Sequence, residues 1–214
     1  IWVIGVVIAI ERFIFLTKSS AGNKKFWDEL QPLFEAGNFR QAMNLAQNND
    51  TALAQVMRYG MSRIQTAKRR DDIEKAMEES LVEVIPRLEK RTHFLAALAN
   101  IGLLMGLFGT VLGLINAFAA VSTANAAEKA SLLSASISVA MNNTALGLFV
   151  AITLLLAHLF LETKTTNIVD SLEVATVQFL NALTERRADP EAQAAAHAAA
   201  QGAGRAPEMR GARA

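Results

Sequence analysis

Two long stretches of this chain carry no Asp, Glu, Lys or Arg: residues 92–127 and residues 130–161. As helices rising about 1.5 Å per residue, both exceed the roughly 30 Å of hydrocarbon in a bilayer. They predict membrane helices over 92–121 and 131–161, joined by a short loop over 122–130. The chain opens on ten apolar residues followed by Glu11-Arg12. Ten residues are too few to cross, so 1–16 reads as the end of a first, truncated transmembrane helix. A signal peptide fits poorly, because neither a basic n-region nor a small-residue cleavage site is visible.

Between these spans, residues 17–91 alternate apolar and charged positions at helical spacing, with breaks expected at Pro32, Gly37-Asn38 and Asn48-Asn49-Asp50. The pattern predicts several short helices. A further helix begins at Asp71-Asp72, gathers Ile73, Met77, Leu81, Val84 and Leu88 on one face, and is expected to run on into the second span with a kink at Pro86. Beyond the third span, Val169, Leu172, Thr176, Phe179 and Leu183 keep a three-four rhythm and predict a helix over 162–187. Residues 188–214 turn to Ala, Gly, Arg and Pro without an apolar face and are expected to be disordered. The fold class is all-α: a polytopic membrane protein with three transmembrane helices and a cytoplasmic helical domain built from the long loop and the helix extensions.

Orientation follows from the basic residues. Of 21, fourteen lie from Arg12 to Arg91, one is Lys129, and six run from Lys164 onward. Basic residues near span ends, such as Arg12, Arg91 and Lys164, mark the cytoplasmic side. The N-terminus is then periplasmic, the 122–130 loop periplasmic and the C-terminus cytoplasmic.

The spans themselves are patterned. Gly102, Gly106, Gly109 and Gly113 recur at intervals of four, three and four, although glycine costs a helix about 1 kcal/mol relative to alanine. Such a stripe lets a neighbouring backbone approach closely. In the third span Ser134, Ser138 and Asn142 form one stripe, and Ser136, Ala140, Thr144, Gly147 and Ala151 form another. Both are expected to face protein or water, leaving Leu146, Phe149, Leu156 and Phe160 for lipid. On these residues alone the polar positions are also consistent with interhelical hydrogen bonding and no transport role.

Composition narrows the remaining classes. A formal net charge of +1 gives no case for nucleic acid. There is no cysteine, hence no disulfide, thiolate metal site or cysteine nucleophile. His93, His158 and His197 are far apart in sequence, and no G-x-x-x-x-G-K-[ST], G-x-S-x-G or H-E-x-x-H pattern occurs, so neither a metal, a cofactor nor an enzyme activity is expected.

Three places resemble the MotA/TolQ/ExbB stator family. They are Glu11-Arg12 closing the first span, the run from Phe94 to Asn100 leading into Gly106-Leu107-Phe108-Gly109-Thr110-Val111-Leu112-Gly113, and the run from Ile137 to Ile152 containing Asn142-Asn143-Thr144. The resemblance implies a homo-oligomer, a pentamer, in the bacterial cell inner membrane. It would enclose a single-span partner resembling ExbD, TolR or MotB that carries a transmembrane Asp, and proton flow through the assembly would drive rotation or force on the cell envelope. By the same resemblance Thr110 and Thr144 face the central pore and the partner's carboxyl group.

The chain departs from the family pattern at Val139, where ExbB and TolQ commonly have a glutamate, at Thr153, where a proline is usual, and at Leu103, where another proline is usual. Without that glutamate the titrating carboxylate is expected from the partner, with Asn142 and Asn143 supplying local polarity. The ion-pathway candidates are thus Thr110, Thr144, Asn142 and Asn143, and the helix-packing candidates Gly102, Gly106, Gly109, Gly113 and Gly147. The envelope process powered, whether transport, envelope integrity or gliding motility, is left open. So are two other readings, a non-conducting membrane scaffold and a sodium-driven stator whose hydroxyls ligate a hard cation.

Overall fold

The computed structural model describes residues 1–64 and 69–203, with side chains except at 35 and 185–203. These residues form six helices and no strand: α1 (Trp2–Glu35), α2 (Phe39–Gln47), α3 (Ala52–Arg63), α4 (Arg70–Glu89), α5 (Thr92–Thr123) and α6 (Lys129–Ala203). Two compact units divide the chain. One comprises Ile1–Lys24 and Val82–Ser171, the other Lys25–Leu81 and Leu172–Ala214.

In the first unit small residues are buried in the spans while many large apolar ones face outward, alongside a buried core that includes Leu95, Leu154 and Leu161. Its buried positions include Gly102, Gly106, Ala117, Ala140, Gly147 and Ala151, while Leu104, Phe108, Phe118, Leu146, Phe149, Leu156 and Phe160 stand exposed. Water would penalise that arrangement, whereas in hydrocarbon large apolar residues lose nothing by facing outward and small ones let helices close up. Two stretches are long and apolar enough to cross a membrane, within Arg70–Thr123 and Lys129–Thr184, with only 17% and 22% of their most apolar windows buried. The α5–α6 turn is short: α5 stops at an extended Ala124, and the carbonyl of Asn125 accepts from the backbone N–H groups of Glu128 and Lys129.

The expected continuity of α4 into α5 is not found. The helix breaks at Lys90-Arg91, and Arg91 takes a left-handed conformation with φ of 68°. Pro86, the expected kink, lies inside α4. The break coincides with a contact from α1. In a continuous helix the Leu88 carbonyl would accept from the N–H of residue 92, but here it accepts from the guanidinium of Arg12, which is only 3% exposed. Glu11 then holds Arg91 through both carboxylate oxygens, at 3.0 and 3.1 Å.

The second unit has the core of a water-soluble helical bundle. Phe26, Leu30, Met57, Ile73, Met77, Leu172, Phe179 and Leu180 are almost fully buried, and the rings of Phe34 and Phe179 meet at 4.8 Å between centroids. Pro32 was expected to end a helix, yet α1 continues through it to Glu35. One missing N–H on an exposed face is tolerated when Leu30 and Phe34 on either side are buried. The real stop is Gly37 at φ 75°, where Asn38 N–H bonds the Leu33 carbonyl and Gly37 N–H that of Phe34, a Schellman closure. Thr51 caps α3 by accepting from Ala54 N–H at 3.3 Å. Replacing Phe179 by alanine is expected to cost about 3–5 kcal/mol and lower the thermal midpoint followed by circular dichroism. An unchanged midpoint would show that the Phe34–Phe179 pair carries little packing energy.

α6 also extends further than expected. It remains helical to Ala203, through much of the segment expected to be disordered, because alanine has the highest intrinsic helix propensity and 191–203 are mostly alanine. The rest of that expectation, 204–214, lies outside the described residues.

Candidate functional site

The first unit brings the predicted glycines together in a single seam between α5 and α6. A Cβ added to Gly102 would meet Val150, one on Gly109 would meet Asn143, and one on Gly113 would meet Ala140, each at 2.8–2.9 Å. At the centre Gly106 and Gly147 touch backbone to backbone. A Cβ on Gly106 would lie 2.8 Å from the Gly147 Cα, and one on Gly147 would lie 2.6 Å from the Gly106 Cα. Positions rise along α5 as they fall along α6, so the two helices run antiparallel. On α6 the partners 140, 143, 147 and 150 repeat at three, four and three, complementing the four, three and four of α5.

Both threonines lie beside this seam at the same level. Thr110 follows Gly109 and Thr144 follows Asn143, the two residues of one seam contact. A step of one residue turns about 100° around a helix, and in antiparallel helices equal turns lead to the same side. Both residues are half-buried. Their hydroxyls differ. Thr110 donates to the Leu107 carbonyl of its own helix at 2.6 Å, which spends its proton locally and leaves its oxygen to accept. Thr144 reaches across the seam to the Gly106 carbonyl at 3.5 Å, a long bond that leaves the rotor easy to turn.

The asparagines separate. Asn143 packs its Cβ and amide group on Gly109 while remaining partly exposed, whereas Asn142 stands on the surface with Ser134 and Ser138. This polar stripe lies on the face of α6 opposite the seam, in line with exposed Phe149, Leu156 and Phe160 further along the helix. Val139 is 60% exposed, so a carboxylate there would have been accessible. A groove of about 620 Å³ opens over the seam, lined by Trp2, Met105, Gly106, Asn143, Gly147 and Val150 among others.

No carboxyl or ammonium group occurs in 92–127 or 130–161. What the site offers is neutral: the Thr144 hydroxyl, able to donate or accept, the Thr110 oxygen, able to accept, the Asn143 amide, and carbonyls bared by glycine. Such a set can solvate a proton carrier or hydrogen-bond a carboxyl group in either protonation state, but it has nothing that itself titrates near neutral pH. His158 is elsewhere, with Nδ1 3.1 Å from the Thr92 carbonyl and Nε2 3.6 Å from Glu162.

Several contributors escaped the sequence reading. Val150 is a seam partner despite its size, because it packs beside Gly102. Gly5 of α1 abuts Leu154, where an added Cβ would come within 2.5 Å of a methyl group. A lone glycine in an apolar run was the signal for that contact. The Arg12–Leu88 bond had no local signal at all.

Comparison with known proteins agrees on the kind of chain this is. The model of the MotA/TolQ/ExbB proton channel family matches residues 48–174. The Tol-Pal system protein TolQ of Haemophilus influenzae is 39% identical over 84 residues, an alignment that takes in 39% of this chain and 36% of that protein. A putative biopolymer transport protein, ExbB-like 3, of Synechocystis is 27% identical over 159 residues, covering 73% of this chain and 75% of the relative.

Proposed function

Because the chain belongs to the MotA/TolQ/ExbB proton channel family, we propose that it is the stator subunit of an inner-membrane motor driven by proton flow. In this reading α5 and α6 are the second and third of three transmembrane helices, with the opening half of α1 forming the end of the first. The second unit and the C-terminus are cytoplasmic. Several copies, five by family resemblance, surround a single-span partner of the ExbD/TolR/MotB type.

The observation that carries the proposal is the placement of Thr110 and Thr144. Two hydroxyls stand level on the same side of an antiparallel seam, in spans devoid of any ionisable group except histidine. A partner carboxyl brought to that level can accept from the Thr144 hydroxyl when charged and donate to either threonine oxygen when neutral, so it can load and unload a proton without leaving a charge unsolvated in hydrocarbon. With valine at 139 the acid comes in trans. Asn143 adds a dipole at the same depth, while Asn142 stands at that depth on the opposite face of α6. The five seam glycines hold α5 and α6 close enough for Thr144 to reach the opposite backbone.

Proton flux into liposomes, measured with and without a single-span, aspartate-bearing partner, tests this. Flux is expected only when both proteins are present, and it should vanish when the partner's aspartate is replaced by asparagine. Flux from this chain alone would overturn the in-trans acid. A verified complex that stays silent under a proton gradient would favour the scaffold, and one that runs only when sodium replaces potassium would favour sodium drive.

A further inference from the structure

Two grooves in the first unit meet at Phe160. One, of about 290 Å³ between α1 and α6, is almost wholly apolar, lined by residues such as Val6, Ile10, Phe13 and Leu154. The other, of about 540 Å³, lies along α6, with Leu156, Leu159 and Phe160 at its apolar end and Thr163, Lys164 and Asn167 at its polar end.

Lys164 lines the polar end of the second groove and reaches over the Phe13 ring that lines the first. Its ammonium lies 4.3 Å above the Phe13 ring, which itself stacks on Phe160 at 6.0 Å, and it donates to the Thr17 hydroxyl at 2.5 Å. Thr17 has already given its own proton to the Phe13 carbonyl, so it serves Lys164 purely as an acceptor. An ammonium has three donors, and Thr17 uses one. The ion pairs of the described residues involve Lys25, Arg87, Arg91 and His158, so no carboxylate among them neutralises this half-buried cation.

We propose that these grooves bind an anionic phospholipid, one acyl chain on each side of Phe160 and the phosphate on Lys164. The inference rests on the membrane topology proposed above, which puts Lys164 at the cytoplasmic surface. The apolar groove and the apolar end of the second groove offer paths for two chains, and the ammonium at the polar end, paired with no carboxylate, matches a phosphate and an added negative headgroup charge. Asn167 and Thr163 flank the headgroup position.

Native mass spectrometry of the full chain, released from detergent carrying equal dioleoylphosphatidylglycerol and dioleoylphosphatidylcholine, tests the site. The wild type should retain the glycerol lipid in preference. Lys164→Gln should reduce that preference about fivefold, the factor expected for one cation beside an anionic surface. Lys18→Gln, an exposed residue outside both grooves, should leave it unchanged. Equal retention of the two lipids, an unaltered preference in Lys164→Gln, or no retained lipid because a second copy covers the grooves would each overturn the proposal. Retention is read without partner or gradient. A chain that binds the lipid yet passes no protons with its partner therefore overturns the stator reading alone, and a conducting complex without lipid preference overturns this inference alone.

Discussion

Thr144→Val is expected to abolish proton flux through the partnered complex while leaving the oligomer assembled. Valine keeps the branched shape of threonine and changes only a hydroxyl to a methyl. The bond that is lost, to the Gly106 carbonyl at 3.5 Å, is long, so its removal should cost no more than about 1 kcal/mol of stability. A positioned group that passes or receives a proton typically contributes about 10²–10⁴ in rate, far beyond that packing term. The two effects separate cleanly in one sample, with size-exclusion profile on one side and liposome flux on the other. Flux at the wild-type rate from an intact Thr144→Val complex would remove the hydroxyl from the pathway. Thr144→Ser, which retains the hydroxyl, should keep most of the flux.

Gly106→Ala, like Gly147→Ala across from it, should be among the most damaging single-methyl changes in the spans. The new Cβ would come within 2.8 Å of the Gly147 Cα and 3.0 Å of the Asn143 carbonyl oxygen, both backbone atoms of a helix that cannot rotate away. Relief requires the helices to separate along the seam, and overpacking of this kind costs about 1–3 kcal/mol or more. The control is Gly102→Ala. Its Cβ would meet Val150 Cγ1 at 2.8 Å, a side-chain atom, and Val150 itself is only half-buried. Yield of assembled protein from membranes should therefore fall steeply for Gly106→Ala and little for Gly102→Ala. The reverse order would mean that the seam is not the contact that holds α5 and α6.

Much of this geometry was legible because it violates local preference. Glycine is a poor helix residue, so four of them at four-three-four spacing in α5 already specify a close neighbour, and Gly106 and Gly147 meet as such spacing requires. The small-residue stripe on α6 was read in the same way, and its members Ala140, Gly147 and Ala151 are buried. The face of α4 was legible as well: Ile73, Met77, Leu81, Val84 and Leu88 all bury. What escaped involves contacts from elsewhere in the chain. Nothing near Lys90-Arg91 ends a helix, and the guanidinium that takes the Leu88 carbonyl comes from Arg12. Pro32 seemed a stop because local rules weigh the missing N–H and not the burial of Leu30 and Phe34. At the site, Thr110 and Thr144 were named through resemblance to a family. That they stand level on one side of the seam emerges only when the α5–α6 register is known.

The bond from Arg12 to Leu88 also bears on how the protein is made. Its two ends are 76 residues apart in sequence, so a ribosome adding about 5–20 residues each second completes Arg12 some 4–15 s before its acceptor exists. Over that interval the nascent α1 holds a guanidinium without the Leu88 carbonyl to receive it, directly beside the apolar run of residues 1–10. Until α4 emerges, the growing chain must keep that end of α1 in water or among lipid phosphates. Docking of that end of α1 on α4 therefore waits for Leu88, and its packing of Gly5 on Leu154 waits longer still.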